Sequence, residues 1–143
     1  MAGVTGSDAS YTPERFLARY GELSNVLGNL ASRVTSMIAK YRDGVIPDSS
    51  GTGLDTETET ALTSTREAMA SFRLHDALGA AMDLARAANG YVEERQPWAQ
   101  AKDSAPAADL DETLAQLARA LVMLCALFTP VTPEKMTELA GRL

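Results

Sequence analysis

The sequence predicts an all-α protein, a bundle of about five helices, and three observations lead to that prediction. The 143 residues are 45% hydrophobic and 22% charged, which is ordinary for a single globular domain. Aromatic residues are few, whereas Ala and Leu, which keep their rotamer freedom in helices, are plentiful. Apolar residues also recur every three or four positions between clear start and stop signals, and no segment has the pattern of a strand.

The first predicted helix is the longest. Residues 1–12 are small, polar and glycine-containing, so they are predicted to be a flexible N-terminal segment ahead of a helical domain over 13–143. Thr12-Pro13 has the pattern of an N-cap followed by proline in the first turn. Apolar residues then follow the helical period from Phe16 to Tyr41, and Asp43-Gly44 ends the helix. Gly21 and Gly28 each weaken a helix by roughly 1 kcal/mol relative to Ala, so we expect a bend or a close backbone approach there.

The next segment, Val45 to Leu54, contains Pro47 and a Gly-Thr-Gly sequence, which is typical of a loop between helices. It lacks the Gly-Lys-Ser/Thr ending of a phosphate-binding loop and follows no strand, so it gives no support to nucleotide binding. A second helix is predicted from Asp55, as its cap, to about Phe72. A third follows from about His75 to Arg95.

The C-terminal half supplies the remaining helices. Pro97-Trp98 interrupts the helical pattern, and residues 103–109 are predicted to be a loop. The fourth helix carries apolar residues at helical spacing from Leu110 to Phe128, which makes it the strongest core candidate. After Pro130, Thr132-Pro133 repeats the cap-then-proline signal and begins a short fifth helix to about Leu143.

Charge and apolar runs exclude two classes of protein. The net charge of −6 argues against a protein that covers DNA or RNA with its whole surface, because such binding needs an excess of Lys and Arg. No apolar stretch approaches the ~20 residues of a membrane span, and the N-terminus lacks the blocks of a signal peptide. We therefore expect a cytoplasmic protein without a membrane or DNA partner.

Catalytic and metal-binding patterns are missing as well. The single histidine, His75, is predicted at a surface position and excludes His-pair metal sites. The single cysteine, Cys125, lies in an apolar run and is predicted to be a buried hydrophobe. Acidic residues at 55, 57 and 59 suit the first turn of a helix, where they meet its dipole favourably. We predict no catalytic residue, metal or cofactor, and a free-standing small-molecule enzyme is the weakest interpretation.

Three residues are harder to assign to packing alone. Asn29 and Arg33 are one helical turn apart, so they share a face beside the apolar stripe, and Trp98 directly follows Pro97. The simplest structural interpretation makes the polar pair a hydrogen bond on the helix surface and Trp98 a partly buried anchor. The alternative is a binding site.

Four segments together favour the binding site. They are Leu23–Arg33 (LSNVLGNLASR), Lys40–Pro47 (KYRDGVIP), Ala87–Trp98 (AANGYVEERQPW) with Lys102, and Leu127–Pro133 (LFTPVTP). In order and spacing, this chain resembles the C-terminal helical, anticodon-binding domain of the methionyl-tRNA synthetases. The resemblance extends from Arg19 to Gly141 and does not include the synthetase catalytic domain, so it implies no aminoacylation by this chain alone.

The resemblance implies roles for the three residues. Members of that family read the anticodon with an Asn and an Arg four residues apart on the first helix and with a Trp that follows Pro, and Asn29, Arg33 and Trp98 occupy those positions. The implied partner is methionine tRNA, bound at its CAU anticodon, together with a synthetase catalytic domain that is encoded separately or attached. The alternative function is a non-catalytic helical module that docks on a synthetase or another protein.

Overall fold

The computed structural model describes residues 12–102 and 107–143, and its first helical stretch runs without a break from residue 13 to residue 42. It consists of α1 (Pro13–Leu23), a π-helical turn (Ser24–Gly28) and α2 (Asn29–Arg42). The Thr12 hydroxyl accepts a hydrogen bond from the Arg15 backbone N–H at 3.3 Å, which confirms the predicted N-cap. Asp43 and Gly44, with φ of 51° and 80°, end the helix as predicted. The predicted flexible segment, apart from Thr12, lies outside the described residues.

Of the two expectations for Gly21 and Gly28, the close approach of another backbone is wrong. A methyl group added at Gly28 would meet only the Ser24 hydroxyl, at 3.9 Å, and one added at Gly21 would meet nothing within 4 Å. No neighbouring backbone therefore requires a glycine at either position. Gly28 instead closes a wider turn, in which the hydrogen bonds depart from the α pattern.

Five further helices follow. They are α3 (Asp55–Ala70), α4 (Leu74–Arg95), the four-residue α5 (Pro97–Gln100), α6 (Ala107–Phe128) and α7 (Pro133–Ala140). If residues 13–42 are taken as one helix, these ranges contain the five predicted helices and the single turn α5. Residues 12–102 and 107–143 contain no strand, so the predicted all-α class is confirmed.

Several predicted boundaries were wrong by a few residues. Asp55 is the first residue of α3 rather than its cap, and Leu54, which precedes it, makes no capping hydrogen bond through its side chain. The predicted loop at 103–109 is helical from Ala107, because Ala and Asp109 suit a first helical turn. Residues 103–106 of that loop lie outside the described residues. The last helix stops at Ala140 rather than Leu143.

Helix α6 lies at the centre of the bundle, and its many buried residues confirm the fourth predicted helix as the strongest core candidate. Its residues from Thr113 to Ala118 are buried on every side, and it packs against α2, α3, α4, α5 and α7. Cys125 is buried there as predicted, and burial raises the pKa of its thiol, so it stays protonated and unreactive at neutral pH. No described helix is long and apolar enough to cross a membrane.

The loop over residues 43–54 is fastened to α6 through its backbone. Arg119 donates to the carbonyl oxygens of Ser49 and Gly51 at 2.8 and 2.7 Å. The buried Gln116 amide donates to the Gly51 carbonyl and accepts from the Leu54 N–H. This segment connects two helices, as the sequence predicted, and several of its backbone polar groups have partners on α6.

Candidate nucleic-acid interface

Arg33 and Trp98 come together although they are far apart in the sequence. The Arg33 guanidinium carbon lies 5.7 Å from the centre of the Trp98 ring, within the range of a cation–π contact. The contact joins α2 to α5. The short helix that carries Trp98 packs on α6 and reaches α2 through this contact.

The position of Trp98 depends on the backbone conformation of the residues just before it. Gln96 ends α4 in the left-handed conformation, with φ of 45°, and turns the chain sharply. Pro97 is fully buried and begins α5, which anchors the new direction. Trp98 packs against the core yet keeps part of its indole exposed. Its position agrees both with a partly buried anchor and with a stacking surface.

Arg33 is held by a second partner that sequence reasoning missed. Its guanidinium donates to Glu93 Oε1 on α4 at 2.7 Å. A guanidinium carries five N–H donors, so this bond leaves others for a ligand. Glu93 lies in the segment Ala87–Trp98, but its pairing with Arg33 depends on how α2 crosses α4, which no local pattern reports.

Asn29 shares a groove with Arg33. The groove is open, has a volume of about 460 Å³ and runs between the first helical stretch and α4. Seven residues line it: Asn25, Val26, Asn29, Ser32, Arg33, Arg86 and Asn89. All but one of them have polar side chains, and Asn29 is exposed to solvent. Trp98 is not in the groove lining and adjoins it through Arg33.

Asn89 connects the groove to the π turn. Its side-chain amide donates to the Val26 carbonyl at 3.0 Å and to the Ala85 carbonyl of its own helix at 2.9 Å. Val26 belongs to the π turn, so Asn89 attaches that turn to α4 and sets the position of Asn25 and Asn29 beside it. π turns recur at functional sites because they redirect side chains, and this one directly precedes Asn29.

Arg86, which also lines the groove, belongs to a group of ion pairs. Arg86 donates to Glu22 at 2.5 Å and to Asp83 at 2.7 Å, and Arg19 also donates to Glu22, at 2.8 Å. The hydrogen bonds from Arg19 and Arg86 lower the pKa of Glu22, which therefore stays ionised. Among the described residues no group of three or more His, Cys, Asp or Glu could hold a metal ion.

The groove thus offers amide donors and acceptors, guanidinium groups and, beside them, an aromatic surface. These groups suit an unpaired nucleobase, whose edge needs directed hydrogen bonds and whose face needs a stacking partner. The lining contains no carboxyl group or histidine that could act as a base toward the Ser32 hydroxyl.

Comparison with known proteins identifies related chains. The methionine–tRNA ligase of Enterococcus faecalis is 36% identical over 146 residues, a match that covers 95% of this chain and 22% of the relative. The Bacillus subtilis enzyme of the same name is 38% identical over 148 residues, with the same coverage. This chain therefore spans about a fifth of the length of these curated relatives. No protein-family model matches it.

Solved structures give the same result. The ligand-free methionyl-tRNA synthetase of Mycobacterium tuberculosis superposes with a TM-score of 0.86 at 31% identity, over 94% of this chain and 29% of that one. The same enzyme bound to methionyl-adenylate gives a TM-score of 0.87 at 31% identity, over 94% and 28% of the two chains. The bundle described above is therefore a fold present within that larger protein.

Proposed function

We propose that this chain, a homologue of one part of the methionine–tRNA ligases, recognises the CAU anticodon of methionine tRNA during protein synthesis in the cytoplasm. One observation carries the proposal. Asn29, Arg33 and Trp98 form one continuous surface, in which Arg33 contacts the Trp98 ring at 5.7 Å and shares a polar groove with Asn29. The contact with Trp98 therefore adds an aromatic surface, from a distant part of the sequence, to the polar face that Asn29 and Arg33 share.

Each side chain has a defined task in this proposal. The exposed part of the Trp98 indole stacks on an unpaired anticodon base, an interaction worth ~1–3 kcal/mol per base. Asn29 and Arg33 hydrogen-bond to the edges of bases in the groove. The Glu93 carboxylate holds the Arg33 guanidinium in place before RNA arrives, which reduces the entropy lost on binding.

The acidic net charge is compatible with this mode of binding. Base reading depends on a few directed contacts, whereas phosphate-driven binding depends on the total positive charge. Residues 13–43 have five basic and three acidic side chains, so the helix that presents Asn29 and Arg33 is locally basic in a chain of net charge −6.

Aminoacylation would require a catalytic domain, and we propose a synthetase catalytic domain as the protein partner. The relatives are far longer than this chain, and we assign no catalytic residue to the chain alone. Joining anticodon contacts to contacts at the acceptor end would raise overall affinity by up to ~10²–10⁴ through effective concentration. The chain by itself should therefore bind tRNA weakly.

Fluorescence titration tests the proposal directly, since Trp98 is the only tryptophan. The purified chain is titrated at low salt with a methionine tRNA anticodon stem-loop, and with the same stem-loop carrying one changed anticodon base. We expect quenching that favours CAU. Asn29→Ala and Arg33→Ala should weaken or abolish that preference, whereas Arg66→Ala, on the exposed surface of α3, should not. A folded chain that binds neither RNA, or both equally, would refute the proposal.

A second proposed function, docking on another protein, rests on α1. None of its residues is buried, and three large apolar side chains, Phe16, Leu17 and Tyr20, are 55%, 64% and 63% exposed. Such a surface fits a partner helix or domain. If it docks on a catalytic domain, a Leu17→Ser/Tyr20→Ser variant will lose binding to that domain and keep binding to the stem-loop. Unchanged binding to the domain would exclude α1 as the docking surface.

A further inference from the structure

The groove that contains Asn29 and Arg33 also contains a second arginine, Arg86, and its position gives a further assignment. We propose that Arg86 binds a backbone phosphate of the RNA strand whose bases are read by Asn29 and Arg33. The assignment rests on the proposed anticodon-binding function and adds to it a residue that contributes affinity without reading sequence. Neither the sequence motifs nor the comparisons point to Arg86.

The geometry supports this role. Arg86 and Arg33 are the cationic residues of the groove lining, and the other polar groups of the lining are three Asn amides and the Ser32 hydroxyl. Arg33 is already engaged with Glu93 and with the Trp98 ring. A nucleotide whose base lies against Asn29 would therefore meet the second cation at Arg86, on the α4 side of the groove. Arginine is suited to this contact because its planar fork matches two phosphate oxygens.

The ion pairs of Arg86 hold the guanidinium without using all of its donors. One terminal nitrogen donates to Asp83 and the other to Glu22. Two of the five N–H donors are then occupied and three remain for an anion. Neither Glu22 nor Asp83 lines the groove, so the carboxylates approach Arg86 from outside it. The Arg86 side chain is 49% exposed and stays accessible to a ligand.

A purely structural role would be the attachment of α1 to α4 through the bond between Glu22 and Arg86. The two roles differ in what they predict for RNA. A structural tie would change the free energy of unfolding and leave the salt dependence of RNA binding unchanged. A phosphate contact changes that salt dependence, because each contact releases counterions from the RNA.

The test measures binding of the anticodon stem-loop at salt concentrations from about 50 to about 200 mM, a range over which affinity from phosphate contacts falls strongly. Four proteins are compared: the wild type, Arg86→Gln, Arg86→Lys and the control Arg66→Gln. Arg86→Gln should weaken binding roughly threefold to tenfold at low salt, by the same factor for CAU and for the changed anticodon. For this variant, the plot of the log of the binding constant against the log of the salt concentration should have a slope that is shallower by about 0.7. Arg86→Lys should keep the slope because it keeps the charge, and Arg66→Gln should match the wild type.

Other outcomes separate this assignment from the proposed function. If Arg86→Gln changes the preference for CAU, Arg86 contacts a base and the phosphate assignment is wrong. If affinity and slope stay at wild-type values while Asn29→Ala loses the preference, the assignment fails and anticodon reading stands. If the folded wild type binds neither RNA, both fail. Because Arg86→Lys keeps a cation beside Glu22 and Asp83, a loss of slope in that variant would also contradict the assignment.

Discussion

The two halves of the first helical stretch have the same apolar period and opposite surroundings. In α2, Leu30, Val34 and Ile38 are buried against the bundle. In α1 the same stripe continues through Phe16 and Tyr20, yet no residue of that helix is buried. The pattern in the sequence is continuous across both halves. It therefore reports which face of a helix is apolar, and the remainder of the fold decides whether that face is covered.

Helix α2 has a second property that α1 lacks. Its buried face and its polar face act together, because Leu30 and Val34 fix the helix against the core while Asn29 and Arg33 point away from it. Asn29 and Arg33 are thus presented by a packed helix rather than by a flexible loop. A rigid support of this kind positions binding groups better than a mobile one.

The largest expected effect is on stability, and it separates the two halves most clearly. Leu30→Ala removes a side chain that is 0% exposed, and we expect it to lower the free energy of unfolding by about 2–5 kcal/mol. Leu17→Ala, at a position 64% exposed, should change it by less than about 0.5 kcal/mol. Urea denaturation followed by circular dichroism measures both. Similar losses for the two variants would mean that α1 is covered in solution.

The next largest effect concerns the RNA surface beside α2. Trp98→Ala should weaken binding of the CAU stem-loop by ~1–3 kcal/mol, because the stacking surface is lost. Trp98→Phe keeps an aromatic face and should retain most of the affinity. Calorimetry is the appropriate measurement, since these variants remove the fluorophore. Equal affinity for Trp98→Ala and wild type, with both proteins folded, would assign Trp98 to packing alone.

Some of these parts of the molecule could be predicted from the sequence and others could not. The existence of the five longer helices, the strong core character of α6 and the burial of Cys125 were predicted correctly, since they depend on period and composition within one segment. The roles of Asn29, Arg33 and Trp98 stay predictions that follow from the resemblance. Glu93 and Asn89 were missed because they lie on α4 and bond to Arg33 and Val26 in the first helical stretch. The angle at which two helices cross cannot be derived from the sequence of either helix alone.

The π turn marks another limit of prediction. Gly28 signalled an irregular position, but the sequence did not reveal that Asn89 would supply a hydrogen bond to the Val26 carbonyl there. Propensity reports that a glycine weakens a helix; it says nothing about which side chain compensates. The shape of the junction between α1 and α2 therefore depends on a contact with α4 as well as on the local sequence.

A smaller effect should follow from changing that junction. Asn89→Ala leaves the Val26 carbonyl without its side-chain partner, so we expect a loss of about 1 kcal/mol in the free energy of unfolding. Asn29 should then be less well positioned, and the preference for CAU should fall although Asn89 need not touch RNA. Asn25→Ala, at an exposed residue of the same turn, is the matched control for stability. Full stability in Asn89→Ala would show that the turn holds its shape without this bond.

The smallest expected effect is a dependence of stability on pH, and it comes from Glu22 in α1. Hydrogen bonds from Arg19 and then Arg86 lower the pKa of Glu22 below its ordinary value of 4.5, so the folded state favours the ionised carboxylate. That contribution to stability is fully present above pH 4.5 and is lost as the pH falls through the lower pKa of the folded state. Glu22→Gln should therefore have a slightly lower urea midpoint than wild type at neutral pH, and the difference should vanish in acid. A difference that persists in acid would mean that Glu22 contributes through packing rather than charge, and the attachment of α1 to α4 would then not depend on its ion pairs.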